Sequence, residues 1–156
     1  MPWIVGIDEA GYGPMLGPLV VGCCAFELDG DRFADPLPCV WKPLRKIVQK
    51  TRSKSGKRIH VNDSKLVYIN GLKELERSVL VLARAVFGRH DDLVGFVRCV
   101  APHVLGDLPE YRWYAPPPDE VFPIHNEPAS IAVFCNALQQ EMKRTGTACI
   151  HLAARR

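Results

Sequence analysis

The sequence predicts a single α/β domain, and three observations predict it. Two short runs rich in β-branched residues lie before Glu27, separated by glycines and prolines. Two later stretches carry apolar residues at steps of three and four, the period of an amphipathic helix. A chain of 156 residues with 47% hydrophobic content is also enough to enclose one core, because domains of about 100–150 residues are the commonest size.

Trp3-Ile4-Val5 is β-branched and aromatic enough to open a buried strand, which delivers Asp8 and Glu9 at its end. Isolated carboxylates are costly to bury, so a pair carried to the rim of a core strand calls for bases, backbone amides or a divalent cation. Residues 19–26, bounded by Pro18 and by Asp29-Gly30-Asp31, predict a second strand that forms a hairpin with residues 3–7. Gly11, Gly13, Pro14, Gly17 and Pro18 make the connection; they resist helix and let backbone approach a ligand closely.

Residues 29–38 read as a loop. Residues 40–55 follow, basic and with some helical spacing in Trp41, Leu44, Ile47 and Val48. Between Pro36 and Asn62 there is no acid, while Lys42, Arg45, Lys46, Lys50, Arg52, Lys54, Lys57 and Arg58 fall inside. Such a tract is either a solvated surface or a surface that tracks phosphates. Residues 59–66 lead into a helix from Asn70, as N-cap, to Phe87, with Gly88 in the C′ place and Leu72, Leu75, Val79, Leu82 and Val86 on one face.

Residues 93–100 predict a third strand, with Gly95 as a bulge or close approach. Prolines then make residues 101–126 an extended surface loop, in which Tyr111, Trp113 and Tyr114 either anchor the loop or stack on bases. Glu127-Pro128 opens a second helix with Pro at N1; Ile131, Phe134, Cys135, Leu138 and Met142 form its stripe, and Lys143, Arg144 and Gly146 end it. Residues 147–152 begin a last strand, and the chain stops soon after at Arg156.

The formal charge of +3 is too small to define a partner by itself. The six cysteines show no C-x-x-C spacing, and the amino terminus has no basic region ahead of an apolar one, so the reading is buried reduced thiols in a cytoplasmic protein. No apolar run approaches the ~20 residues needed to cross a bilayer. Histidines 60, 90, 103, 125 and 151 lack ligand spacing, and Gly11-x-Gly13 precedes Pro14 and a strand where a dinucleotide loop would require a helix.

Gly6-Ile7-Asp8-Glu9-Ala10-Gly11-Tyr12-Gly13-Pro14, followed by Gly17-Pro18 and downstream by Asp63-Ser64-Lys65, resembles ribonuclease H type 2 (ribonuclease HII), whose usual form is G-[IV]-D-E-[AV]-G-R-G-P with a later D-S-K. The resemblance implies a ribonuclease H-like fold with a mixed sheet and packing helices. It implies cleavage of RNA in RNA–DNA hybrids, or in duplexes containing ribonucleotides, by two-metal hydrolysis with Mg²⁺ or Mn²⁺. Asp8 and Glu9 would be catalytic metal ligands. The backbone of Gly11, Tyr12 and Gly13 would read a ribonucleotide 2′-hydroxyl. Asp63 would steady the site, Ser64 and Lys65 would touch phosphate, and Lys46 and Lys50 belong to the candidate backbone-contacting tract.

Two departures accompany the resemblance. Tyr12 stands where the family has Arg, which removes a charged phosphate contact. The family's third carboxylate falls at a place occupied here by Leu152-Ala153, and its fourth would lie beyond Arg156. Acids at 91, 92, 107, 119 and 120 sit in turns or in the proline-rich loop and are poor substitutes. The expectation is therefore a domain over residues 1–156 that is incomplete at its C-terminal end, through truncation in preference to natural loss of hydrolysis, and weakly active or inactive alone. A non-catalytic nucleic-acid-binding module is the alternative, and the sequence leaves the oligomeric state open.

Overall fold

A computed structural model describes residues 1–9, 20–31, 39–52, 56–68, 71–110, 112 and 119–155. Its elements are strands β1 (Trp3–Glu9), β2 (Val21–Glu27), β3 (Val48–Gln49), β4 (Ile59–His60) and β5 (Ala148–Arg155), with helices α1 (Trp41–Leu44), α2 (Ser64–Val67), α3 (Lys73–Phe87), α4 (Leu93–Val100), α5 (Val104–Asp107) and α6 (Pro128–Thr145). The protein is thus mixed α/β, with a small sheet and several helices.

β1 and β2 form the expected antiparallel hairpin, from Trp3 opposite Glu27 to Glu9 opposite Val21. β5 lies antiparallel on the other side of β2, giving the order β1-β2-β5, while β3 and β4 pair in parallel as a separate ribbon.

The core lies between α3, α6 and the small ribbon. Leu80 and Val81 of α3, Ile131 and Leu138 of α6, Leu44 of α1, Val48 of β3 and Ile59 of β4 belong to one buried cluster, against which Phe26 of β2 packs. Both long helices stop where the sequence places the stops. Gly88 ends α3 with its N–H on the Arg84 carbonyl, and Gly146 ends α6 in the left-handed conformation at φ 62°. At Gly146 a Cβ would also lie 2.9 Å from Asp29 Cβ, so glycine is required there on two counts.

Three expectations need correction. Residues 93–100 form a helix, not a strand. Asp92 caps it by accepting from Gly95 N at 2.6 Å, so Gly95 lies in the first turn of a helix and is no bulge. Leu93, Phe96, Val97 and Val100 fall at i, i+3, i+4 and i+7; in so uniformly apolar a run this stripe is indistinguishable from a strand. Trp3 and Val5 are not buried. They are 65% and 53% exposed, because among the described residues β1 is paired on one side only and no element covers the outer face of the sheet there. The cysteines are free thiols, but Cys135 alone of the six is fully buried, the rest being partly so.

α3 begins at Lys73, and Asn70, the expected cap, lies outside the described residues. The 101–126 stretch has no long element, but α5 and a 3₁₀ turn at Leu108–Glu110 fold part of it. Tyr111, Trp113 and Tyr114 lie outside the described residues; Glu76 of α3 holds the end of the stretch by accepting from Ile124 N at 2.6 Å, His125 N at 2.9 Å and Asn126 Nδ2 at 2.7 Å.

A buried polar knot joins α3 to α4. Arg84 Nη2 donates to the His90 carbonyl at 3.2 Å and approaches Asp91 at 3.5 Å; the His90 ring stacks at a tilt on Phe96. His90 Nδ1 faces the Gly88 carbonyl at 3.2 Å, so it carries the ring proton. Burial pushes the His90 imidazole below its ordinary value and the Arg84 charge adds to this, against the opposing pull of the Gly88 carbonyl and of Asp91 and Asp92.

Two outcomes follow from this packing. Ile131→Ala, at a side chain with no exposure, is expected to lower unfolding free energy by about 2–5 kcal/mol in denaturant titration. The depressed His90 value means that the unfolded chain takes up a proton first as pH falls through 6.5, so stability should decline from there down to the lower folded value. His90→Asn should flatten that segment of a stability–pH curve.

Candidate functional site

Asp8 and Glu9 close β1, opposite Gly22 and Val21 of β2. Successive strand residues point to opposite faces. Ile4 is the partner of Phe26, which packs on the core, so Ile4, Gly6 and Asp8 share the inner face, and Trp3, Val5, Ile7 and Glu9 share the outer one. Both carboxylates are exposed, and Asp8 Oδ1 accepts from Glu9 N at 3.0 Å. Among the described residues no three of His, Cys, Asp and Glu gather as a metal site would require. Gly11, Tyr12 and Gly13 lie outside the described residues.

The second group of predicted residues flanks the β3–β4 ribbon, Lys46 and Lys50 on either side of β3 and Asp63, Ser64 and Lys65 after β4. Asp63 caps the single turn of α2, its Oδ1 accepting from Lys65 N at 2.8 Å, which is the Asx-type turn its local sequence suggests. Asp63 N in turn donates to Asn62 Oδ1 at 2.8 Å, and Asn62 Nδ2 donates to the Lys50 carbonyl at 2.9 Å. The His60 ring lies 3.1 Å from that same carbonyl. The structure therefore joins the Asp63-Ser64-Lys65 loop to Lys50 of the basic tract, a link that sequence spacing does not reveal. Its one signal is Asn62, a side chain with both donor and acceptor placed just after a buried strand.

Ser64, Lys65, Lys46 and Lys50 are all exposed, as are Lys42, Arg45, Arg52, Lys57 and Arg58. The tract is folded, not a free tail. Ile59 N donates to Ile47 O at 2.7 Å, Val61 N to Gln49 O at 3.0 Å, and Lys50 Nζ sits 4.9 Å from the centre of the Trp41 ring. The tract is not wholly free of acids in space either. On α6 the Arg144 guanidinium, bonded at 2.7 and 2.8 Å, holds the Glu141 carboxyl below its ordinary value, with smaller help from Lys46 and Arg45. Some of the Lys46 charge is therefore answered within the chain.

Beneath this surface His60 Nδ1 and Gln49 Nε2 are buried without a hydrogen-bond partner among the described residues. Elsewhere, α3, α4 and the 122–125 segment line an open apolar pocket of about 230 Å³ between Leu75, Val79, Phe96, Phe122 and Ile124, whose nearby carboxylate, Glu76, is already occupied by backbone amides.

These features define a mixed α/β protein with a carboxylate pair at a strand end and a separate cationic ribbon. The comparisons narrow the class. The chain is 39% identical to ribonuclease HII of Chlamydia abortus over 74 residues, 47% of this chain and 32% of that protein. It is 29% identical to ribonuclease HII of Magnetococcus marinus over 97 residues, 58% and 43% of the two chains. Over 23 residues it is 65% identical to a ribonuclease H2 subunit of Dictyostelium discoideum, 15% and 8% of the two chains. The likeness to ribonucleases HII is distant and partial, the chain spanning less than half the length of each. No family model and no solved structure matches.

The cap geometry is directly testable. Asp63→Ala should cost about 1 kcal/mol of stability in thermal or denaturant unfolding, and Asp63→Asn much less, because the amide oxygen still accepts from Lys65 N.

Proposed function

We propose that the chain carries a ribonuclease HII-like site directed at RNA within RNA–DNA hybrids. The observation that carries this reading is the Asp8-Glu9 pair at the rim of an antiparallel hairpin, in a chain 39% identical to a ribonuclease HII over 74 residues. Asp8 and Glu9 are the carboxylates proposed to meet Mg²⁺ or Mn²⁺, which would supply charge neutralisation and an activated water. Gly11, Tyr12 and Gly13 are the proposed readers of the 2′-hydroxyl. Ser64, Lys65 and Lys50, flanking one ribbon, are the proposed phosphate contacts, with Lys46 a weaker one because Glu141 lies near it.

The described residues do not by themselves fit a divalent ion. Water and phosphate oxygens can complete the shell of Mg²⁺ or Mn²⁺, but the carboxylates that share an ion must converge, whereas Asp8 and Glu9 point to opposite faces and no third acid joins them among the described residues. No hydrolytic step is therefore assigned. What the chain's own residues can do is present two carboxylates at a strand end and bind a phosphodiester backbone through exposed cations in the segments that flank β3 and β4. That combination also favours a second reading, a nucleic-acid-binding module without hydrolysis.

Incubating the purified chain with an RNA–DNA hybrid and Mg²⁺ or Mn²⁺ tests both readings. Binding should weaken linearly in log–log salt titration, and Lys50→Glu with Arg52→Glu should lower affinity by about tenfold or more. Cleavage by this chain alone should be weak, and Asp8→Asn should abolish what there is while leaving binding intact. Rapid cleavage indifferent to Asp8→Asn would sink the carboxylate assignment, whereas binding with no cleavage under either metal selects the second reading.

A further inference from the structure

The outer face of β1 is an apolar row: Trp3 is 65%, Val5 53% and Ile7 71% exposed. The backbone of the same residues also faces outward. Leu28 N donates to Pro2 O at 3.0 Å, which sets the parity of the hairpin ladder. In antiparallel pairing both polar groups of one residue point to the same neighbour and those of the next residue point away. Pro2, Ile4, Gly6 and Asp8 therefore turn toward β2, and the N–H and C=O groups of Trp3, Val5 and Ile7 turn toward the edge. Glu9 shares that parity, and its N–H is taken by Asp8 Oδ1. Among the described residues β1 pairs with β2 alone.

The two edges of this sheet are not alike. β5 shifts register opposite Ala25 and Phe26 and carries His151 and Arg155, and bulges and charges are the features that discourage edge pairing. β1 keeps seven residues in unbroken register and contains no lysine, arginine or proline. An exposed, regular, apolar edge of this kind is a template for another strand.

We propose that β1 is a self-association edge, on which the β1 of a second copy of this chain pairs antiparallel about a two-fold axis through Val5. The two three-stranded sheets then become one of six strands. In this register Trp3 lies opposite Ile7 of the second copy and Val5 opposite Val5, so every apolar residue of the row meets an apolar one. Moving the axis to Gly6 sets Trp3 against Glu9, and moving it to Ile4 removes the Trp3–Ile7 pairs. A two-fold contact closes on itself and leaves the bulged β5 edges outside. The inference stands apart from the nuclease reading.

Sedimentation of the purified chain over a range of concentrations, with residue-resolved amide exchange, tests it. A monomer–dimer equilibrium is expected. Exchange at Trp3, Val5 and Ile7 should slow about tenfold or more as the dimer fills, with no matching change at Ile4 and Gly6. Ile7→Lys, at an exposed side chain, should raise the dimer dissociation constant at least about tenfold. Val5→Pro, which removes one outward N–H, should do the same, since proline is tolerated on edge strands. Unchanged circular dichroism in both variants would show the monomer intact. A chain that stays monomeric throughout, a dimer indifferent to both substitutions, or open-ended assemblies in place of a dimer would overturn the proposal.

Discussion

The packing of α3 against α6 is the contact on which the rest of the fold leans. Val81, Ile131 and Leu138 have no exposure, and Leu80 has very little. Two-residue strands have no stability of their own. β3 and β4 exist because Val48 and Ile59 insert into the cluster those helices make. The cationic surface and the Asp63 loop are therefore positioned at second hand. Lys50 is placed by β3, Asn62 is tied to Lys50, and Asp63 is tied to Asn62. Loosening the helix pair would disperse the proposed phosphate contacts without touching any of them.

Much of this is legible in the sequence because its signals are local and carried by special residues. Gly88 and Gly146 stop helices through backbone freedom, Pro128 starts one, and two β-branched runs around a Gly/Pro turn make a hairpin. Residues 93–100 pass for a strand because an evenly apolar run has no informative period. The deciding residue is Asp92 just before it, which reads equally well as a solvated turn acid. The exposure of Trp3 and Val5 escapes the sequence for another reason. Strand propensity reports the pleated conformation, and whether a layer covers that strand depends on tertiary contacts no local pattern encodes.

The candidate site is legible only in part, for the same physical reason. Two adjacent acids at a strand end are visible in sequence, but their directions follow from the pleat. On β1 they diverge, Asp8 toward the core side and Glu9 toward the open side. The link between the D-S-K segment and the basic tract is invisible, since it runs through the Lys50 carbonyl, a backbone group identical in every residue type. The resemblance of the motif to ribonuclease HII and the partial identity to such proteins agree on a distant likeness, while the geometry gives Asp63 and Asn62 local partners that any such loop would use.

Asp8 and Glu9 also answer a constraint set by β1 itself. An apolar edge strand must end somewhere, and charged residues at its end limit how far another strand can pair along it. Asp8 sharpens that limit by capturing the Glu9 N–H, the next outward-facing donor, so among the described residues the unpaired outward donors of β1 run from Trp3 to Ile7. The carboxylate of Asp8 meanwhile stays on the inner face, away from the Trp3-Val5-Ile7 row. A strand laid on the β1 edge and a ligand held at Asp8 would thus occupy different sides of the sheet. The alternation that leaves the hydrophobic row uncovered is the same alternation that separates it from the Asp8 carboxylate.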